Sequence, residues 1–335
     1  MPGLLFRRRK TVVDSTVKYV REEIVSTYKS KFATLGVALG LIVSSAAASA
    51  EELRIGTASQ GGAFYPVGQA ISNLVNKYAD GITMVPVVTQ GSVQNPRLVN
   101  KGEVDIGITN NNLSVLANKG AAMYAKSGKM DLQAVGSLHF SILHMMTLKS
   151  SSVNTIADLK GKRVAVGPAG GGTIPFLKQV LGLAGLTIDD ITPSFLSYAD
   201  GFSQLADGNV DASFALSGYP AGAVTQAQVT KDLKFIKLGE GKMGEALAKY
   251  TNYNEVVVPM DVYNTAEEGR VLGVNNMLMV KSSMDADKVY AITKAIYDHM
   301  DEFKANNAHA KQIVPANSLK LKIPMHPGAA RYFKK

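Results

Sequence analysis

The 335-residue chain contains no cysteine and no tryptophan. Without cysteine there are no disulfides, no zinc–thiolate sites, no thiol nucleophile and no cysteine-held iron–sulfur cluster. That absence suits an oxidising compartment, where a stray thiol is a liability. Charged residues are scarce at 19%, while 46% are apolar. The balance supports a packed core and argues against disorder. After residue 50 no run approaches the ~20 apolar residues of a membrane-spanning helix. No run of Lys and Arg interleaved with aromatics appears there either, so nucleic acid is not an expected partner.

The usual marks of catalysis are missing too. No lysine with Ser or Thr follows a glycine turn as in a phosphate loop. There is no G-x-S-x-G elbow. His139, His144, His299, His309 and His326 show no metal-ligand spacing with carboxylates. Asp105 and Asp211 open strands, away from helix starts, and make a poor acid–base pair. The expectation is no enzyme, no metal and no cofactor, with His139 and His144 structural.

What is present begins with an address. The formal net charge is +9. Eight Lys/Arg and three acids in residues 1–50 account for +5 of it, leaving +4 for the remainder. A mildly basic body suits an anionic ligand. Lys29 and Lys31 precede an apolar run from Phe32 to Val43, and Ala48-Ser49-Ala50 gives an A-x-A cleavage pattern. These are the three parts of a secretory signal, expected to be cut near Ala50 and to send the rest to the periplasm. A retained N-terminal anchor is the alternative.

The remainder reads as strands alternating with helices. Leu53–Thr57, Ile82–Val88 and Val104–Thr109 are strand-like. Pro66–Tyr78 is a helix with Ile71, Leu74, Val75 and Tyr78 on one stripe. The pattern repeats with strands at 164–167, around Phe195-Leu196 and at 212–216, and helices at 174–184 and 202–207. Gly102-Glu103-Val104-Asp105-Ile106-Gly107 is echoed by Gly208-Asn209-Val210-Asp211-Ala212-Ser213. Two similar α/β halves with parallel strands follow. Extended segments at 138–149 and 271–280 are expected to cross between them. That makes lobe 1 discontinuous (51–140 plus 276–335) and inserts lobe 2 (145–270), with the two crossings as hinge.

In such sheets ligands gather where strands end and helices begin. Three turns there are rich in glycine or polar residues. The first carries Ser59, Gln60, Gly62, Ala63, Phe64 and Tyr65. The second carries Gly91, Ser92, Val93 and Asn95, and the third Gly171, Gly172 and Thr173. Helix N-termini leave unpaired N–H groups, and glycine lets an anion approach them closely. Asn110 and Asn111 follow the third strand, and Ser217 and Tyr219 hold the equivalent place in the second half. Tyr198 and Tyr65 are candidates to cover a ligand. Arg97 is the nearest cation, and either faces the cleft or is solvated. Arg163 has the look of a surface charge.

These motifs resemble those of the TAXI-type solute receptors of tripartite ATP-independent periplasmic (TRAP) transporters. Segment 56–66, G-T-A-S-Q-G-G-A-F-Y-P, is similar to that family's glycine-rich opening, and Gln90–Asn95 to its G-G-S-V-E-N. Gly102–Gly107 fits its G-E-x-D-x-G. Asp158–Val164 with Gly170–Thr173 resembles its second-lobe entry, and 324–333 its closing motif. The resemblance runs through nearly all of 53–335. It implies a periplasmic-binding-protein type II clamp of two α/β lobes. The implied ligands are glutamate-like amino acids, dicarboxylates or oxo acids, and the implied partners are TRAP membrane subunits. Ser59-Gln60 and Pro96 depart from the family pattern beside the cleft. The expected function is a monomeric receptor that captures a small carboxylate. A ligand sensor for a membrane signalling partner and a secreted α/β enzyme are the alternatives.

Overall fold

The computed structural model describes residues 51–334. The secretory signal read in residues 1–50 lies outside them. No described helix is long and apolar enough to cross a membrane.

The first half runs β1 (Glu51–Gly56), α1 (Phe64–Tyr78), β2 (Ile82–Val87), α2 (Asn95–Lys101), β3 (Ile106–Asn110) and α3 (Asn111–Lys119). Strand β4 (Leu132–Leu148) leads to β5 (Arg163–Ala165), α4 (Thr173–Leu183), β6 (Thr192–Ser194), α5 (Tyr198–Ala206) and β7 (Ala212–Ser217). Beyond the main α/β repeat come α6 (Gly222–Gln228), β8 (Leu233–Phe235), α7 (Lys242–Lys249), β9 (Asn254–Val258) and α8 (Met260–Tyr263). The long β10 (Gly269–Lys281) returns, followed by α9 (Ala286–Tyr297), α10 (Met300–Asn306) and α11 (Pro327–Phe333).

One mixed sheet carries the order β2-β1-β3-β10-β4-β7-β5-β6. β1 pairs parallel with β2 and β3, and β5 pairs parallel with β6 and β7. Between these sets lie β4 and β10, antiparallel to each other and to their outer neighbours β7 and β3. These two strands fall on the segments expected to cross. The β4–β10 register shifts between Asn275 and Met277, near the middle of β10. This is an α/β fold with one mixed sheet flanked by helices.

The buried residues follow the periodicity of each helix. α1 buries Val67, Ile71, Leu74 and Val75, one stripe at helical spacing, against Val289, Ile292 and Ile296 of α9. In the other half, α4 buries Phe176, Leu177, Val180 and Leu181 in a cluster with Phe214 and Leu216 of β7.

The sequence echo has a structural cause. Asp105 Oδ2 accepts the Arg54 backbone N–H at 2.7 Å, and Arg54 Nη2 reaches Gly102 O at 3.4 Å. In the second half Asp211 Oδ2 accepts the Arg163 N–H at 2.8 Å, and Arg163 Nη2 donates to Gly208 O at 3.0 Å. Each aspartate thus ties the start of its third strand to the first strand of its half. Gly102 and Gly208, at φ +73° and +76°, make the left-handed turns that precede them. Arg163 is exposed but paired, and its side-chain hydrogen bonds hold the Asp211 carboxyl below the usual range.

One expectation needs correction. Phe195-Leu196 is not in a strand: β6 stops at Ser194, and Phe195 is 54% exposed. Ser197 Oγ accepts the Asp200 N–H to cap α5, so the chain must turn before 197. Helix α2 starts at Asn95, at the end of the second expected turn, with Pro96 in its first turn, where its missing N–H costs nothing.

Candidate functional site

Helices α1 and α4 come from opposite halves of the sheet, and their N-termini face each other. The glycine turn before α2 lies between them. Together they enclose a cavity of about 10 Å³, room for about one water. Eight of the expected residues line it: Gly62, Ala63 and Phe64; Gly91 and Ser92; Gly171 and Gly172; and Tyr198. Ala58, Gln90 and Leu216 line it too and were not foreseen. Gln90 stands directly before an expected turn, so adjacency was the available signal. Ala58 and Leu216 carry no chemical mark in sequence.

Glycine makes this convergence possible. Gly91 sits at φ +102°, and a Cβ there would lie 3.3 Å from Ala58 Cβ and 3.9 Å from Gly171 Cα. A Cβ on Gly172 would collide with Asn110 Oδ1 and lie 3.0 Å from Leu216 Cδ2.

Direct hydrogen bonds close the cleft. Ala63 N donates to Ser217 Oγ at 2.9 Å. Val93 N and Gln94 N each donate to Gly170 O at 3.1 Å, and Ala223 N donates to Gly61 O at 3.0 Å. Three of the amides suited to an anion are therefore held by the protein's own oxygens. An organic acid does not fit without the two sides separating.

The hydroxyls behind the cavity form one network. Thr173 Oγ1 and Tyr198 OH are 2.7 Å apart, and Tyr198 OH donates to Leu216 O at 3.2 Å. Burial raises the Tyr198 pKa, so it stays a neutral hydroxyl. No Lys, Arg, Asp, Glu or His lines the cavity among the described residues. Any anion held there would be met by amide and hydroxyl dipoles.

The other expected residues lie outside this cavity. Asn95 is fully buried, and its Nδ2 donates to Gly56 O, Thr57 O and Ile108 O while Oδ1 accepts from Thr89 Oγ1. It bolts β1, β3 and the second turn together and has no polar atom to offer a ligand. Asn110 Nδ2 donates to Asn276 Oδ1, joining β3 to β10. Asn111 Oδ1 accepts the Lys322 N–H. Ser59 is buried with its hydroxyl unpartnered, Gln60 is exposed, and Tyr65 and Tyr219 are half-buried. Val93 contributes only its backbone.

Arg97 does not face the cleft. Its guanidinium donates to Val93 O, Met123 O and Ser127 Oγ and lies 4.7 Å over the Tyr124 ring.

His139 and His144 are fully buried, as a structural role requires. His139 packs against Phe64 and His309, with ring centroids 5.8 and 5.4 Å away. Burial pushes the His139 pKa well below its ordinary value, and lowers His144 and His309 to about 4.

A model of the NMT1-like family matches residues 55–335. A curated protein of Escherichia coli (strain K12), named for binding aliphatic sulfonates, is 29% identical over 131 residues. The match covers 39% of this chain and 39% of that protein, so the chain spans about two fifths of the relative's length. Among solved structures, the periplasmic aliphatic sulphonate-binding protein from Escherichia coli aligns at TM-score 0.43 and 19% identity, over 85% of this chain and 89% of that one. A protein from Listeria monocytogenes, described as an L-cystine ABC transporter, aligns at 0.48 and 14%, over 76% and 94%.

Proposed function

The chain belongs to the NMT1-like family, and on that premise we propose that it is an exported solute-binding receptor with no chemistry of its own. It captures a small organic acid, a carboxylate in the first instance, and delivers it to membrane transporter subunits. The observation that carries this reading is the meeting of the α1 and α4 N-termini, from opposite sides of the sheet, at one glycine-lined and uncharged cavity. Helix N-termini present partial positive charge and N–H donors to an oxyanion.

Two lobes, 51–140 plus 276–335 and 145–270, move as bodies about β4 and β10. In the open form the acid settles against Gly62–Phe64 and the Gly91 turn. Closure brings Gly171–Thr173 over it, and its oxygens take the donors now held by Ser217 Oγ and Gly170 O. Charge-assisted bonds to amides contribute about 1.5–3 kcal/mol each, more than the neutral contacts they replace. The sequence motifs favour TRAP subunits as the membrane partner. The sulfonate named for the curated relative has the same oxyanion character and competes with a carboxylate for the same donors.

The test is a melting-temperature screen against carboxylates and sulfonates. A binding acid at 100 times its Kd should add about 2.7 kcal/mol of stability. Gly91→Val should erase that shift, because its side chain fills the space between Ala58 and Gly171. If Gly91→Val binds the acid as well as the parent does, the cleft is not the site.

A further inference from the structure

A second, larger cavity adjoins the first. It holds about 100 Å³ and shares two wall residues with the smaller one, Gly172 and Leu216. One side comes from β3, α3 and the turn after α3, and the other from α4, the segment around Tyr253 and β10. It therefore lies in the same cleft. Of the two shared residues, Gly172 has no side chain.

The lining is mostly apolar: Leu113, Leu116, Met123, Pro175, Phe176 and Val274. No charged side chain lines it among the described residues. One polar atom is left over. Asn112 Oδ1 is buried without a hydrogen-bond partner. The nearby Tyr253 hydroxyl has a single proton, and gives it to Gln179 Oε1 at 2.5 Å. Both Asn112 and Tyr253 line the cavity, so the hydroxyl beside the amide has no proton left for it. A buried acceptor of this kind is unfavourable unless something supplies a donor.

We propose that this cavity takes the tail of the bound acid, and that the ligand is a monoacid whose short uncharged chain carries a hydrogen-bond donor such as a hydroxyl. The proposal rests on the receptor reading above and narrows it. An engineered cavity of ~150 Å³ accepts benzene, with its six heavy atoms. By proportion, about 100 Å³ suits a tail of about four heavy atoms. A second carboxylate in the tail would be buried among apolar groups with no charged side chain of the lining to pair it, which is strongly unfavourable. That disfavours the dicarboxylates and glutamate-like acids implied by the motif resemblance.

The experiment is calorimetric titration of the mature protein with three matched series. These are straight-chain monoacids from acetate to octanoate, their terminal hydroxy acids, and the corresponding dicarboxylates, each also run as the sulfonate where it exists. The expected result is an optimum near four tail atoms. The hydroxy acid should bind about fivefold tighter than the alkyl acid, the value of one added neutral hydrogen bond. The dicarboxylate should bind at least about tenfold more weakly.

Two variants read the cavity itself. Asn112→Leu should reverse the preference, favouring the alkyl acid over the hydroxy acid. Leu116→Phe should weaken long acids more than short ones and so flatten the series. Affinity that ignores chain length, or dicarboxylates that bind best, overturns the tail assignment while the head site stands. A parental preference for alkyl acids, or one unchanged in Asn112→Leu, removes the role of Asn112. If no acid of any length binds, the receptor reading fails and the tail assignment falls with it.

Discussion

Gly91 offers the sharpest mechanical check on the cleft. Its φ of +102° lies beyond the left-handed helical region that L-residues tolerate. Placing a Cβ there costs about 1–2 kcal/mol of backbone strain. The added methyl would also press on Ala58 Cβ at 3.3 Å, tighter than ordinary van der Waals contact. Sequence reasoning alone predicts that Gly91→Val spoils binding but leaves the resting protein unchanged. The torsion angle corrects the second half: even Gly91→Ala should destabilise the resting protein. At about 2–4 °C per kcal/mol for a chain of this size, the melting temperature should fall by about 2–8 °C. Gly91→Val should fall further, since its two γ-carbons reach towards Gly171. Differential scanning calorimetry without added acid reads both. A Gly91→Ala protein that melts with or above the parent would refute the strained torsion, and with it the close approach of the two turns.

Other consequences are as direct. Stability should fall as pH drops from about 6.5 to about 4. The unfolded chain protonates its histidines near 6.5, whereas His144 and His309 in the fold resist until about 4. Each contributes about 3 kcal/mol that is present above pH 6.5 and lost across that window. Urea unfolding at pH 7 and pH 4.5 measures it, and equal midpoints would contradict the buried, neutral rings. Asp211→Ala should cost about 1 kcal/mol in urea unfolding by stranding the Arg163 N–H. Arg163→Met should cost less, because its guanidinium is exposed; the reverse order would mean the ion pair, not the backbone bond, matters. Ser217→Ala should speed exchange at the Ala63 amide by about fivefold, the value of one neutral hydrogen bond. An unchanged rate would deny the cross-cleft contact.

Much of this architecture was legible in the chain because α/β halves write themselves in periodicity. The Ile71, Leu74, Val75 stripe gave α1, and β-branched runs gave β1 to β3. The repeated Gly-x-Val-Asp gave the two-fold internal similarity, whose basis in aspartate–backbone bonds only coordinates reveal. The two long central strands were also visible as extended segments, but their antiparallel direction was not. An extended segment looks the same in either sense, and the sense is fixed by where the chain must return. Within the site, glycines and small polar residues at helix starts pointed to the lining of the cavity. Residues whose chemistry is spent on the backbone were misleading. Asn95 reads as a ligand contact because amides make good ones, yet its hydrogen bonds go to three strand carbonyls and a threonine. The second cavity left no trace in sequence, because Leu116, Met123, Phe176 and Val274 look like any core.

The most direct test is a crystal structure with the tightest acid from the titration series. The account predicts the acid group between the α1 and α4 N-termini, within hydrogen-bond distance of amides in 62–64 and 171–173. The Ser217 Oγ and Gly170 O contacts should be broken or displaced. An acid bound anywhere else, with those contacts intact and the 10 Å³ cavity unchanged, would contradict it.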